Sequence, residues 1–344
     1  LIADLQKTGS TDSEILHFYN STITKMTYSN RIIHINGMDI KPGANAQVSL
    51  NWYQLPTKTI IEIPVYVFRS ENPGPTLLIL AGMHGDEING IEIVRKLIKR
   101  DDVKKPLCGS IIAIPVINII SFLSGSRDLP DGRDLNRCFP GSKSGSLGSR
   151  IAYDLMNEII PQIDFGIDFH TGGAKISNYP QLRCVFSSKT NLDLGKKFSP
   201  PLIVNAPFRD NTLRKEASRK GKSILVFEGG ESSRFDYLSI NEGVNGCLRL
   251  MKHYNMVDLD LPNNPTVLLN KTSWVRAKSS GLFHTSQTNG AHVRKGEMIG
   301  LICDPYGEYE EKLVAPFDGY ILGINNQPVI NQGDALMHIG TEEG

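Results

Sequence analysis

The chain has 344 residues, a length that suits one large domain with a small one attached, and its 40% apolar and 21% charged residues match a soluble protein with a sizeable core. Lys plus Arg (37) and Asp plus Glu (36) nearly cancel, which excludes the broad basic field of a nucleic-acid-binding protein. The longest apolar runs, residues 76–81 and 111–120, are too short to cross a bilayer, so no membrane partner is expected.

Taken in chain order, residues 13–24 read as a short helix behind the cap signal Ser10-Thr11-Asp12. Residues 31–50 read as β structure, with turns at Asn36-Gly37 and Pro42-Gly43. Residues 59–68 (TIIEIPVYVF) are rich in β-branched and aromatic side chains and read as a strand. Residues 76–81 form a continuous apolar run ending at Gly82, the mark of a strand buried on both faces. Residues 88–100 place Ile91, Ile93, Val94, Leu97 and Ile98 at helical spacing. A second buried strand follows at 110–116.

The stretch 118–149 is dense in Gly, Ser, Pro and Asp and reads as a long loop, a kind of segment that is usually functional. A helix over 147–160 follows, then strands at 163–170 and 223–228. Strands alternating with helices predict an α/β domain with a largely parallel sheet, in which ligands gather at the carboxyl ends of the strands. His84, His170 and Glu228 all fall at such ends.

After about residue 270 the texture changes to short strands and turns. Val293-Arg294-Lys295-Gly296-Glu297 recurs in pattern as Ile330-Asn331-Gln332-Gly333-Asp334, which predicts a small β sandwich of two similar hairpins. The expected division is an N-terminal extension (1–55) packing on a catalytic domain (56–270), followed by a C-terminal β domain (271–344). The five cysteines (Cys108, Cys138, Cys184, Cys247 and Cys303) show no Cys-x-x-Cys pair, which speaks against a disulfide framework or thiolate metal site. Reduced thiols, and Leu1 to Thr8 without a basic stretch leading into an apolar one, predict a cytoplasmic protein.

A catalytic zinc site takes three protein ligands and leaves a position open for water. His84 and Glu87, three residues apart on the turn into a helix, can reach one point, and His170 at a strand end is the best third ligand. A lone histidine there is usually a hydrogen-bonded structural residue, and Glu87 alone is an ordinary first-turn carboxylate. The shared placement at strand ends, together with the motif matches below, tips the reading toward one metal ion. Glu228, behind an apolar strand and before two glycines that let substrate come close, fits a general base. In the stretch 127–137, Asn136 and Arg137 offer amide and guanidinium donors to one anion, and Asp134 can hold the second N–H of a metal-bound histidine.

In their order, His84-x-x-Glu87, Asp134-x-Asn136-Arg137, His170 and Glu228 resemble the zinc carboxypeptidase superfamily. Gly82-Met83-His84-Gly85-Asp86-Glu87, the run DLNRCFPG at 134–141 and Asp168-Phe169-His170-Thr171-Gly172 are similar to its succinylglutamate desuccinylase/aspartoacylase branch. The resemblance implies an α/β/α sandwich around a mixed sheet with a C-terminal β domain that narrows access. It implies hydrolysis of the amide of a small N-acyl amino acid by metal-activated water, with one Zn2+ on His84, Glu87 and His170, and Glu228 as base and proton shuttle. It implies substrate-carboxylate binding by Asn136 and Arg137, and an upstream arginine that polarises the scissile carbonyl. Arg127 is the choice for that task and Arg133 its rival, kept among the substrate-binding residues. Phe227-Glu228-Gly229-Gly230 departs from aspartoacylase proper, which leaves the acyl group and amino acid open.

The C-terminal segment resembles biotinyl and lipoyl carrier domains at Ala315-Pro316-Phe317-Asp318-Gly319. The preceding hairpin tip, residues 304–311, is acidic and lacks the carrier lysine, so no covalent cofactor is expected, and its charge is expected to bias substrate entry. A carboxypeptidase-type peptidase and a non-catalytic relative are the competing readings. A homodimer is the default assembly.

Overall fold

The computed structural model describes residues 28, 30–54 and 57–342; the helix expected over 13–24 lies outside them. The fold is a mixed α/β fold built on one large mixed sheet. Its elements run in chain order as β1 (Ile33–Ile35), β2 (Met38–Ile40), β3 (Ala46–Gln54), β4 (Ile60–Arg69), β5 (Thr76–Leu80), α1 (Ile88–Lys99), α2 (Asp101–Lys104), β6 (Ser110–Ile114) and α3 (Ile119–Ser124). Then come α4 (Leu147–Asp154), β7 (Phe165–Gly172), β8 (Ile176–Cys184), α5 (Lys189–Phe198), β9 (Leu202–Asn205), α6 (Leu213–Arg219), β10 (Ser223–Glu231) and α7 (Tyr237–His253). The remainder is β: β11 (Val267–Leu269), β12 (Lys271–Arg276), β13 (Gly281–His284), β14 (His292–Val293), β15 (Met298–Cys303), β16 (Glu310–Val314), β17 (Gly319–Asn325), β18 (Val329–Ile330) and β19 (Ala335–Thr341).

Four strands explain the sheet's centre. β6, β5, β7 and β10 lie side by side and parallel. Every residue of β5 and β6 is buried, and successive side chains enter opposite cores. Leu77, Ile79, Ile111 and Ala113 meet α1, α5 and α7 on one face. Leu78, Leu80, Ile112 and Ile114 meet α4 and α6 on the other. Each such leucine or isoleucine contributes roughly 1.5–3 kcal/mol by leaving water. Antiparallel pairs flank the parallel centre, with β4 and β3 on one side and β8 on the other, so the sheet is mixed where alternation alone predicts a mainly parallel one.

Two local differences from expectation have physical causes. Inside the expected loop, α3 is a six-residue helix whose N-cap Asn118 accepts from the Ser121 N–H and which stops at Gly125 with φ +58°. The helix over 147–160 is regular only to Asp154, then winds as a π turn through Leu155–Ile159 and a 3-10 turn with Pro161.

Residues 46–54 form the sheet's outer strand β3, and the C-terminal strands are joined to the same sheet. β8 changes neighbour halfway along one edge: residues 176–178 pair with β17, and residues 181–184 pair with β9. Through β17 the sheet continues into β19 and β12. A second sheet, β16-β15-β13-β18, shares an apolar cluster with those strands, including Ile299, Ile302, Leu313, Ile321, Leu336 and Ile339. The recurrent motif folds the same way twice. Arg294 N donates to Glu297 Oε2 at 2.8 Å, and Asn331 N donates to Asp334 Oδ2 at 2.7 Å. Gly296 and Gly333 take φ +82° and +92°, a conformation only glycine adopts without strain.

Candidate active site

β5 ends in a turn that a side chain would block. Gly82 has φ +66°, and a Cβ on Gly85 would lie 1.9 Å from the Ser121 carbonyl carbon. Backbone packed this closely carries His84 and Glu87 inward, Glu87 being the residue at the N-terminus of α1. From β7, Asp168 and His170 share one face, because strand side chains alternate. His84, Glu87 and His170 are buried, and their ligand atoms all lie within 4.8 Å of one another.

The hydrogen bonds fix which atoms face the centre. His84 Nε2 lies 3.0 Å from Asp134 Oδ1, and His170 Nε2 lies 2.9 Å from Asp168 Oδ2. Each Nε2 is thus held by a carboxylate, and both Nδ1 atoms turn inward, 3.3 Å apart. Glu87 adds its two oxygens, 2.7 Å from His84 Nδ1 and 2.9 Å from His170 Nδ1, with Oε2 also accepting from Thr171 N. A buried carboxylate and two imidazoles facing one another in a dry place call for positive charge. In this structure the guanidinium of Arg127 answers them, with Nη1 2.8 Å from Glu87 Oε1 and Nη2 3.1 Å from Asp134 Oδ2. The three side chains can hold a metal ion.

The electrostatics agree. Burial opposes charge on His84 and His170, yet the surrounding carboxylates outweigh it and raise both imidazoles above their ordinary value. Burial likewise pushes Glu87 upward, and the two histidines overcome it and hold the carboxyl far below the usual range.

This cluster opens into a cavity of about 520 Å³ that also receives Arg127, Asn136, Arg137, Arg183, Arg214 and Glu228. Glu228 stands directly across from His170 in the β10–β7 register, at the last position before a bulge interrupts the pairing on both sides. Its Oε2 accepts from Asn178 Nδ2 at 3.2 Å, and its Oε1 lies 3.4 Å from Arg183 Nη2. Asn136 Oδ1 accepts from Leu213 N at 3.0 Å, which leaves its amide protons as the donors on the cavity side. Arg137 lines the cavity and donates to the Asn136 carbonyl at 2.7 Å.

Three features expected near the substrate are not part of this cavity's lining. Arg133 is not among the cavity residues; it donates to Ser146 Oγ at 3.1 Å and lies 3.6 Å from Asp131, on the far side of Asp134. Gly229 and Gly230 do not border the cavity either. A Cβ on Gly229 would meet Ser239, and one on Gly230, whose φ is +78°, would meet Asn89, so these glycines serve the bulge and its packing. The acidic hairpin tip contributes no lining residue; the C-terminal wall consists of Thr272, Trp274 and His338. Trp274 and His338 stack with ring centroids 4.5 Å apart, and burial, with Arg183 nearby, drives the His338 imidazole down to about 3.

Asp168, Asn178, Arg183, Trp274 and His338 are site residues that the sequence reading did not assign. Only Asp168 carried a usable signal, a carboxylate two residues before a strand histidine and therefore on its face.

The catalytic-domain model of succinylglutamate desuccinylase and aspartoacylase matches residues 73–254. The chain belongs to the succinylglutamate desuccinylase/aspartoacylase family. Over 296 residues it is 29% identical to the N-alpha-acetyl-L-2,4-diaminobutyric acid deacetylase of Halomonas elongata, covering 80% of this chain and 84% of that one. The product-bound ectoine utilization protein EutE (DoeB) of Ruegeria pomeroyi shares the fold, with a TM-score of 0.78 at 23% identity over 91% of this chain and all of that one. A family member from Rhodobacter sphaeroides does so with a TM-score of 0.77 at 24% identity, over 89% and 98% of the two chains. The family match spans the His84, Glu87, His170 and Glu228 positions, whereas Trp274 and His338 lie beyond it.

One consequence concerns metal affinity. Asp168 is 1% exposed, with Oδ2 on His170 and Oδ1 without a hydrogen-bond partner among the described residues. Asp168→Asn weakens its hold on the His170 ring and is expected to lower metal affinity about 10- to 100-fold. Competition with a chromophoric chelator measures this; unchanged affinity would separate Asp168 from the metal.

Proposed function

We propose that this family member hydrolyses the amide bond of a small N-acyl amino acid, giving a carboxylate and a free amino acid, with one zinc ion held by His84, Glu87 and His170. The observation that carries the reading is the inward convergence of both Nδ1 atoms and the Glu87 carboxylate, with Glu228 opposite His170 at the edge of the same cavity. Two nitrogens and one carboxylate form a known zinc donor set. When bound, zinc supplies Lewis-acid polarisation of the acyl carbonyl and makes water acidic enough to attack near neutral pH.

The chain's own groups do the rest. Glu228 takes a proton from the attacking water as the new C–O bond forms and delivers it to the amine nitrogen as the C–N bond breaks. Arg127 places guanidinium donors where charge develops on the carbonyl oxygen. Asn136 and Arg137 bind the carboxylate of the amino acid part. Five arginines, including Arg209, against two carboxylates among the cavity residues suit an anionic substrate. Arg214 adds to this field: its buried guanidinium donates to the Arg183 and Pro207 carbonyls, and burial foremost lowers it to about 10.

The division into 1–55, 56–270 and 271–344, with the last a small β sandwich, belongs to the same proposal and is supported by the separate C-terminal apolar cluster. A cytoplasmic location is supported by five free cysteines; among the described residues no helix is long and apolar enough to cross a membrane.

The test is a panel of N-acyl amino acids and dipeptides assayed with zinc-loaded and chelated protein. Release of amino acid from N-acyl substrates, lost on chelation and restored by zinc, is the expected outcome. Turnover of dipeptides alone points to a peptidase, and no turnover by zinc-loaded protein removes the enzymatic reading.

A further inference from the structure

We infer that Asn178 and Arg183 on β8 form a two-point clamp that orients the Glu228 carboxylate, and that Gly323 of the C-terminal strand β17 keeps this clamp in register. The inference rests on the role proposed for Glu228 and extends it to residues outside the metal cluster, one of them beyond residues 73–254.

A general base works only when its lone pair points at the proton it removes, and a carboxylate on a single χ3 bond rotates freely unless both oxygens are held. Here each oxygen has its own partner, Asn178 Nδ2 on Oε2 and Arg183 Nη2 on Oε1. The partners flank Gln181, the residue of β8 that pairs with Glu228. They lie on the two halves of a strand whose outer neighbour switches from β17 to β9 between them. The switch coincides with the bulge in the β10–β8 ladder, so backbone pairing is interrupted immediately after Glu228.

Asn178 is 6% exposed and sits opposite Gly323 in the β8–β17 register. A Cβ built on Gly323 would lie 2.6 Å from Asn178 Oδ1, closer than packed atoms approach. The alanine has no conformational objection at this residue, since Gly323 is not among the positive-φ positions. The closest clash is with the Asn178 amide, with the Ser177 carbonyl next at 3.2 Å, and a shift of that amide moves the donor to Glu228. β17 thus acts on the proposed base through the Asn178 side chain.

The experiment is a double-mutant cycle on the zinc-loaded protein with the best N-acyl substrate. Gly323→Ala and Asn178→Ala are each expected to lower kcat about 10- to 100-fold, the scale at which a roughly 1 Å misplacement of a reacting group acts. KM and zinc content stay within twofold, and the double variant is no slower than Asn178→Ala. Arg183→Gln is expected to lower kcat similarly, and Arg183→Lys to recover most of the loss. Effects of Gly323→Ala and Asn178→Ala that multiply, a change in KM without kcat, or Arg183→Lys no better than Arg183→Gln would overturn the clamp. Urea unfolding of the same four proteins reads the Gly323–Asn178 contact independently of turnover; additive unfolding free energies also overturn it. Active wild-type protein with unimpaired variants removes the clamp alone, whereas inactive wild-type protein removes the hydrolase reading on which it rests.

Discussion

Glu228→Gln is expected to lower turnover by about 10²- to 10⁴-fold, the range a positioned general acid–base group supplies. The amide keeps the size and shape of the carboxylate, and its oxygen can still accept from Asn178. It has no basic oxygen at neutral pH, so it neither takes a proton from water nor returns one to the leaving nitrogen. Glu228 is outside the trio whose ligand atoms converge, so zinc per chain should remain at the wild-type level. Steady-state kinetics with elemental analysis of the same preparation decide the matter. Activity within a few-fold of wild type would reassign the base, and loss of zinc would mean that Glu228 is a ligand.

The second large effect belongs to His170→Ala. Removing this ring takes one donor from the cluster and leaves the buried Asp168 with neither oxygen engaged by a side chain. Breaking a buried ionic contact by deleting one partner costs about 3–5 kcal/mol, so metal-free His170→Ala should unfold at clearly lower urea than metal-free wild type. Zinc should no longer co-purify in stoichiometric amount, and hydrolysis should disappear with it. Substituting Asp168 by Ala as well removes the stranded carboxylate and should return part of the stability while metal and activity stay lost. A single variant as stable as wild type, with full zinc, would show that His170 is ordinary core.

Why some of this was visible in the sequence and some was not follows from the strands concerned. β5 and β6 are apolar runs buried on both faces, β7 is buried throughout and β10 is apolar from Ile224 to Phe227, and such runs announce themselves without periodicity. Placing His84, His170 and Glu228 at their ends needed only the rule that ligands gather there. β8 is the opposite case. Its sequence ISNYPQLRC contains Pro180 and buries the polar Asn178 and Gln181, so it reads as a non-strand. Pro180 is accommodated because it falls at the register shift, where the ladder asks for no N–H. The partners of Glu228 were hidden with that strand. Arg127 and Arg133 were indistinguishable by spacing, since six residues of irregular chain can turn either one inward. The C-terminal wall could not be read at all, because Trp274 and His338 meet through the pairing of two strands far apart in sequence.

The change of partner along β8 also governs how the molecule can be shortened. Cutting the chain ahead of β12 would bare the backbone donors and acceptors of residues 176–178 beside the still-paired half that β9 covers. It would uncover Leu202, Val204 and Leu269, now sealed by Leu322. A raw sheet margin beside fresh apolar surface is a template for self-association. A trimmed catalytic fragment would therefore invite clumping in solution, and any workable miniature of this enzyme has to carry a substitute for β17.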